Sequence, residues 1–419
     1  MDMLSAAIVV NSLDMVLSFS RAMDLLHPAI SEHHLRVAYA SACIAEEMGF
    51  AAAEVQSILV AGALHDVAAA CAPAARPVLD RALASDPFDK GGLNVHDHGE
   101  DCHRLFSRFE PFAGAARAIR FHHVDWNHGE GKTFRGHAVP LESHILRLAD
   151  RVAVLPPEGS PAVTHADASI RTIRARSGER FHPDVVDAFV QAACRESFWL
   201  DLVSKHKESI LRERFGGGAV ILNGDRLHGL AKVFASIVDY RSAYTAAHSS
   251  AVASTSELLA ARIGLARPTV RLVGVAGYLH DLGKLAVPPA MLEKPGRLTR
   301  EETVLIRQHP YYTYQILSAV PGLEDVCTWA ALHHERLDGA GYPFRRRSIP
   351  LEARIVAVAD VFTAITEDRP YRQGMSRAES LRVLDDLVRQ GAIDGDIVSL
   401  INGAYEDLTE VRAQALHVA

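Results

Sequence analysis

One ordered set of histidines and aspartates occurs twice in this chain. The C-terminal copy is His248, His280-Asp281, His309, His333-His334 and Asp360, and the N-terminal copy is His33, His65-Asp66, His98, His122-His123 and Asp150. The intervals His248 to His280, Asp281 to His309, His309 to His333 and His334 to Asp360 are 32, 28, 24 and 26 residues; their counterparts in the first copy are 32, 32, 24 and 27. The repeat extends beyond these residues. Val139-Pro140-Leu141-Glu142 precedes Asp150 as Ile349-Pro350-Leu351-Glu352 precedes Asp360, an offset of 210 residues (360 − 150), and Ser169-Ile170-Arg171 answers Ser380-Leu381-Arg382. Two diverged copies of one unit account for this order better than a shared local motif. Histidine and carboxylate are the side chains that hold divalent transition metals. A lone histidine on a helix is usually an ordinary core or surface residue; the repeated order is what points to ligands.

Apolar residues fall at helical spacing over 13–26, 35–48 and 55–64, and again over 230–238, 249–263 and 269–279. Strand-like alternation is nearly absent. The expected fold is all-α, with two tandem helical domains related by internal duplication. At 419 residues the chain suits two domains of about 200 residues each. Gly216-Gly217-Gly218, running into Asn223-Gly224-Asp225, is costly within a helix and marks the boundary. The expected division is 1–215, a linker at 216–227, and 228–419.

A net charge of −7 argues against a DNA- or RNA-binding protein. An anionic substrate remains compatible with it, because local charge matters at a site. Cys43, Cys71, Cys102, Cys194 and Cys327 are scattered and form no Cys-x-x-Cys pair, as in reduced cytosolic proteins. The apolar run at residues 6–10 is too short to span a bilayer and lacks a signal-peptide pattern, so a cytoplasmic protein without membrane insertion is expected.

In the second copy, His248, His280, Asp281 and Asp360 would form one mixed nitrogen–oxygen metal site. His309, His333, His334 and the second oxygen of a bridging Asp281 would form another. Such a pair of ions suits water activation and in-line displacement at phosphorus. The donor set accommodates iron, manganese, zinc or nickel.

His280-Asp281-Leu282-Gly283-Lys284, the run His333-His334-Glu335-Arg336-Leu337-Asp338-Gly339-Ala340-Gly341-Tyr342-Pro343, and Asp360-Val361-Phe362 followed by Arg369-Pro370-Tyr371-Arg372 resemble an HD-GYP phosphodiesterase. The resemblance covers about residues 228–419. It implies an all-helical fold, a binuclear or trinuclear metal site, here expected to hold two divalent metals with iron or manganese foremost, and hydrolysis of a cyclic purine dinucleotide. Cyclic di-GMP cut to pGpG or GMP is the leading expectation. The alternatives are a 3',3'-cyclic GMP-AMP phosphodiesterase and a non-catalytic receptor or scaffold that signals through partner proteins; homodimerisation is left open.

The family roles map onto this chain as follows. Asp281 and Lys284 are expected to be catalytic, with Lys284 contacting the scissile phosphate or the bridging water. Arg369 and Arg372 supply guanidinium forks for phosphate or guanine. Gly339 and Gly341 allow a tight turn in which Tyr342 and Pro343 wall the pocket. Three departures stand out. Thr363 replaces the usual aspartate, the loop from 343 to 349 is short, and Tyr244 stands where members with a third metal have glutamate.

The N-terminal copy is similar to the broader HD superfamily and keeps every ligand type, so His33, His65, Asp66, His98, His122, His123 and Asp150 form a second candidate metal site. Its substrate anchors differ. Ala69 stands for Lys284, residues 126–131 for the Gly-Tyr-Pro turn, and Gly159 for the first arginine. A regulatory domain is expected there.

Overall fold

A computed structural model describes residues 9–25, 32–71, 96–156, 161–241, 248–294, 296–368 and 373–418. Almost all regular structure in these residues is helical, as expected for an all-α protein. The chain divides into two compact units: Asn11–Val220 is one, and Val10 groups with Ile221–Ala419 in the other. The span 216–227 contains a 3-10 turn (Gly216–Gly218), a two-residue strand (Ile221–Leu222) and the first turn of the Gly224–Tyr240 helix. Gly218 is packed against Ala52, whose carbonyl oxygen would lie 2.4 Å from an added Cβ. Among the described residues no helix is long and apolar enough to cross a membrane. The described cysteines Cys43, Cys102, Cys194 and Cys327 are free thiols.

The framework of each unit is a central pair of helices. In the first unit His33–Glu47 packs on Ala52–Leu64; in the second, His248–Ile263 packs on Arg267–Leu279. Each pair is brought together by a glycine. A Cβ at Gly62 would lie 2.8 Å from the Ala38 Cα, and one at Gly277 would lie 2.7 Å from the Ala253 Cα. Real side chains do not approach this closely, so only glycine lets these backbones touch. Gly62 and Gly277 are 215 residues apart, as are Ala38 and Ala253. The duplication thus extends into the packing. A third helix, Leu141–Val154 in the first unit and Leu351–Thr366 in the second, lies against the pair and brings in the last aspartate.

Helix starts follow local chemistry. The Asn11 side chain accepts the Leu13 N–H at 2.8 Å, and Thr299 with Glu302 and Ser376 with Glu379 form capping boxes. The cores are aliphatic and aromatic, with Phe19, Tyr39, Phe189 and Trp199 fully buried in the first unit and Phe234 and Phe362 in the second. The units differ after the histidine doublet. The first has an irregular 3-10 segment (Asn127–Lys132) and an antiparallel hairpin pairing Thr133 with Ala138 and Phe134 with His137.

Candidate metal and phosphoryl-transfer site

In the second unit the ligand candidates come from separate elements. His248 opens one helix, His280 ends the next, and Asp281 begins the 3-10 turn Leu282–Ala286. His309 opens the His309–Leu317 helix, His333 and His334 follow Glu324–Ala331, and Asp360 lies within Leu351–Thr366. The fold gathers them into overlapping groups: His248, His280 and Asp281; His280, His333 and Asp360; and His309, His333 and His334. Asp281 stands between them, its Oδ2 3.2 Å from His280 Nε2 and its Oδ1 3.3 Å from His309 Nε2. Asp360 Oδ1 lies 3.2 Å from His248 Nε2 and 3.9 Å from His280 Nε2.

The histidine tautomers show what this cluster fits. Nδ1 of His280, His309 and His333 lies 2.7, 2.8 and 2.6 Å from the carbonyl oxygens of Gly277, Ile306 and Ala330. A carbonyl only accepts, so each ring donates its Nδ1–H and a neutral ring turns a bare Nε2 lone pair inward. His309 Nε2 and His333 Nε2 are 3.2 Å apart. Two lone pairs at that distance repel, and a shared cation turns the repulsion into attraction. His280 Nε2 is buried without a hydrogen-bond partner and faces two carboxylates. The residues present therefore fit divalent metal ions.

The electrostatics agree. Burial lowers His309 to about 3 and His334 to about 4, and pushes His333 well below the usual histidine range, so all three rings are neutral at physiological pH, the form that can bind a metal. Asp281 is buried, yet His280 and Lys284 hold it well below the usual carboxylate range. His248 behaves differently. Burial opposes its charge, but Asp360 and Glu367 raise it to about 10.

Several surrounding residues were not singled out in the sequence. Buried Glu367 faces His248 Nδ1 at 3.3 Å, so this ring is oriented by a carboxylate rather than by a main-chain carbonyl. Thr313 accepts the Gly283 N–H at 2.9 Å and donates to the His280 carbonyl at 2.9 Å, clamping the turn that carries Asp281. Gly283 is required there, because an added Cβ would lie 1.9 Å from the His309 carbonyl oxygen. Arg241 donates to the carbonyls of Lys284 (2.6 Å) and Val287 (3.0 Å). Buried Asp239 accepts from the Ser249 hydroxyl at 2.8 Å, next to His248. Of these, only Thr313 and Gly283 carry a sequence hint, one a helical turn after His309 and the other inside the His-Asp motif.

Lys284 donates to Asp281 Oδ2 at 2.5 Å, so its ammonium sits on the bridging carboxylate. Gly339 has φ +78, as a turn glycine does, whereas Gly341 is demanded by crowding: an added Cβ would lie 2.4 Å from the Arg336 nitrogen. Tyr342 packs on His334 with centroids 4.8 Å apart, and Pro343 follows it through a cis peptide bond. The buried Glu335 carboxylate accepts the N–H groups of Phe344, Arg345 and Arg346 at 2.8, 3.0 and 2.9 Å and so shapes the next loop. Thr363 is fully buried and its hydroxyl has no hydrogen-bond partner among the described residues. Arg369, Arg372, Tyr244 and Gly159 lie outside the described residues.

The first unit gathers the parallel set: Asp66, His98, His122 and His123 form one group, and His33, His65 and Asp66 another. Asp150 Oδ1 is 3.2 Å from His33 Nε2. His65 and His122 donate Nδ1–H to the carbonyls of Gly62 (2.8 Å) and Ile119 (2.6 Å). The His122 and His98 Nε2 atoms are 3.3 Å apart, and those of His98 and His123 are 3.0 Å apart. The charges around this set are arranged differently. Ala69 is buried where the second unit has Lys284, and Arg151 donates to Asp150 Oδ2 at 2.7 Å.

Two HD-domain models match, one over residues 30–155 and one over residues 232–397. The chain is 30% identical to the 3'3'-cGAMP-specific phosphodiesterase 1 of Vibrio cholerae, over 91% of this chain and 89% of that protein. It is 31% identical to phosphodiesterase 3 of the same name and organism, over 77% and 72%. A cyclic di-GMP phosphodiesterase of Pseudomonas aeruginosa is 47% identical over 33% of this chain and 34% of its own length. The fold is that of a crystal structure of a cyclic GMP-AMP specific phosphodiesterase from V. cholerae, with a TM-score of 0.62 and 23% identity over 98% of this chain and 99% of that one. With its two ligand clusters and its full-length relatives, the chain belongs to the HD-GYP-type, metal-dependent cyclic dinucleotide phosphodiesterases of the HD-domain family.

Proposed function

We infer that hydrolysis takes place in the second unit and that 3',3'-cyclic GMP-AMP is the substrate. The observation that supports the site is the inward-facing set of Nε2 atoms joined to a Lys284-bearing carboxylate. The support for the substrate is that the relatives matching both units act, by name, on cyclic GMP-AMP. Cyclic di-GMP is the second reading, because the 47% identical segment belongs to a cyclic di-GMP phosphodiesterase.

His248, His280, Asp281, His309, His333, His334 and Asp360 would hold two divalent ions. Their nitrogen-rich, thiolate-free donors suit iron or manganese. Bound there, such ions supply an activated water and neutralise charge at phosphorus. The chain's own residues do the remaining work. Asp281 joins the two halves of the cluster through its two oxygens. Lys284 holds a fixed positive charge beside Asp281, where it favours the charge that develops on phosphoryl oxygens during attack. Glu367 and the three main-chain carbonyls fix the ring orientations in advance. Tyr342 walls the cluster beside His334, and Arg369 and Arg372 are proposed as further phosphate or guanine contacts.

The test is metal analysis of the purified full chain followed by turnover of cyclic GMP-AMP, cyclic di-GMP and cyclic di-AMP. At least about two ions per chain and the highest kcat/KM on cyclic GMP-AMP are expected. Turnover by metal-free protein would overturn the site assignment, and a preference for cyclic di-GMP would overturn the substrate.

A further inference from the structure

A layered stack leads outward from the ligand cluster. Its first layer is the His334 imidazole. The Tyr342 ring lies on it at 4.8 Å with an interplanar angle of 30°, and the Tyr342 N–H donates to the His334 carbonyl at 3.2 Å. The third layer is the Arg307 guanidinium, centred 4.2 Å from the Tyr342 ring centroid. Arg307 stands just after the Arg300–Ile306 helix and two residues before His309. Both ends of the stack are thereby tied to metal-ligand positions.

Arg307 is exposed, and among the described residues no carboxylate pairs with it. A guanidinium over an aromatic ring is held by the electron-rich face, so this contact anchors Arg307 without using its N–H donors. Those donors form a rigid fork suited to two oxygens of a phosphate. Lys284 is already placed at Asp281, at the heart of the cluster. A cyclic dinucleotide, however, carries two phosphodiesters, and only one can occupy the reacting position.

We propose that Arg307, held by Tyr342, binds the phosphodiester that is not being cut. This rests on the reading that the second unit hydrolyses a cyclic purine dinucleotide. Arg307 is then a substrate-positioning residue that recognises the macrocycle rather than its bases. The contact is made to a group common to all cyclic dinucleotides, so it contributes affinity without choosing between guanine and adenine.

The experiment compares the metal-loaded full chain with its Arg307→Ala and Arg307→Lys variants on three substrates: cyclic GMP-AMP, cyclic di-GMP and bis(p-nitrophenyl) phosphate, which has a single phosphodiester. In Arg307→Ala the ratio of KM for each cyclic dinucleotide to KM for the small diester should rise about tenfold or more, as for loss of a charge-assisted hydrogen bond. The factor should be the same for both cyclic dinucleotides, and Arg307→Lys should recover part of it. An unchanged ratio overturns the proposal. A larger loss on cyclic di-GMP than on cyclic GMP-AMP also overturns it, in favour of a base contact. A fall in kcat on all three substrates together with lost metal overturns it in favour of a structural role. If the parent chain cleaves the small diester but neither cyclic dinucleotide, the functional reading fails with it; if it cleaves both and the ratio is unmoved, this inference alone fails.

Discussion

The two units gather the same ordered set of histidines and aspartates and surround it with different charge. In the second, Lys284 sits on Asp281, the aspartate that joins both halves of the cluster. In the first, that position is Ala69, and the cation is Arg151 on Asp150, the aspartate at the cluster's far side. The second unit continues from its histidine doublet into the Gly-Tyr-Pro turn and an arginine-rich loop held by Glu335. The first continues into a 3-10 segment and a small hairpin. Rings oriented by main-chain carbonyls recur in both units, whereas the lysine on the aspartate and the Gly-Tyr-Pro turn belong to the second.

The largest expected effect tests which unit does the chemistry. Asp281→Ala should reduce turnover at least about a thousandfold, because it removes the carboxylate shared by the ligand groups. Asp66→Ala should stay within about 150-fold, the usual range of coupling between distinct sites. Steady-state assays with saturating metal decide it. If Asp66→Ala silences a folded protein while Asp281→Ala stays active, the assignment is reversed.

Lys284→Ala isolates the difference in charge. It should lower kcat on the order of a hundredfold while metal content, measured by elemental analysis, is retained. Unchanged kcat would show that the ammonium only neutralises Asp281. The reciprocal change, Ala69→Lys, probes whether that cation alone separates the two copies.

The clustering of these histidines and aspartates was legible in the sequence because their order is repeated, and the helices were legible from apolar spacing. Gly62 and Gly277 could have been found as well, since they share the 215-residue offset of His33 with His248 and of His65 with His280. Glu367 and Arg307 could not. Glu367 caps the end of the Leu351–Thr366 helix and reaches His248 across 119 residues of sequence, and nothing local marks that contact. Arg307 reads as one of many surface arginines until Tyr342 is seen beneath it. Arg151 was hidden for a similar reason: adjacency to Asp150 says nothing of whether the two side chains meet. The Gly216–Gly218 run was read as a domain boundary, but which glycine is packed depends on Ala52, far away in the chain.

Glu367 gives a smaller and sharper test. The ligand rings that donate to main-chain carbonyls cannot be altered by side-chain substitution, but His248 can. Glu367→Ala should weaken metal binding about ten- to a hundredfold, and Glu367→Gln, which keeps an acceptor, should recover part of the loss. Calorimetric titration of metal into the apoprotein reads this without substrate. Equal affinity in all three proteins would mean that His248 holds its orientation by packing alone.

The smallest expected effect concerns stability and compares Asp24 with Asp239, which share the 215-residue offset. Burial raises both carboxyl groups to about 7. Asp24 accepts the Glu32 N–H at 3.0 Å, and Asp239 accepts from Ser249. A carboxyl group whose folded pKa lies above its unfolded value of about 3.8 binds more protons when folded. Its contribution to stability is fully present below the unfolded value and is lost as pH rises towards 7. Replacing Asp24 with asparagine keeps the acceptor and removes the titration. The Tm of Asp24→Asn relative to the parent should therefore increase between pH 5 and pH 8, by an amount on the order of a few degrees. Asp24 is the better choice of the two, because Asp239 adjoins Ser249 and hence His248, where bound metal would intrude. Thermal melts in chelator at the two pH values provide the measurement. A Tm difference that does not change with pH would show that Asp24 is solvated like an ordinary surface carboxylate, and the resemblance between the two positions would then be one of sequence spacing only.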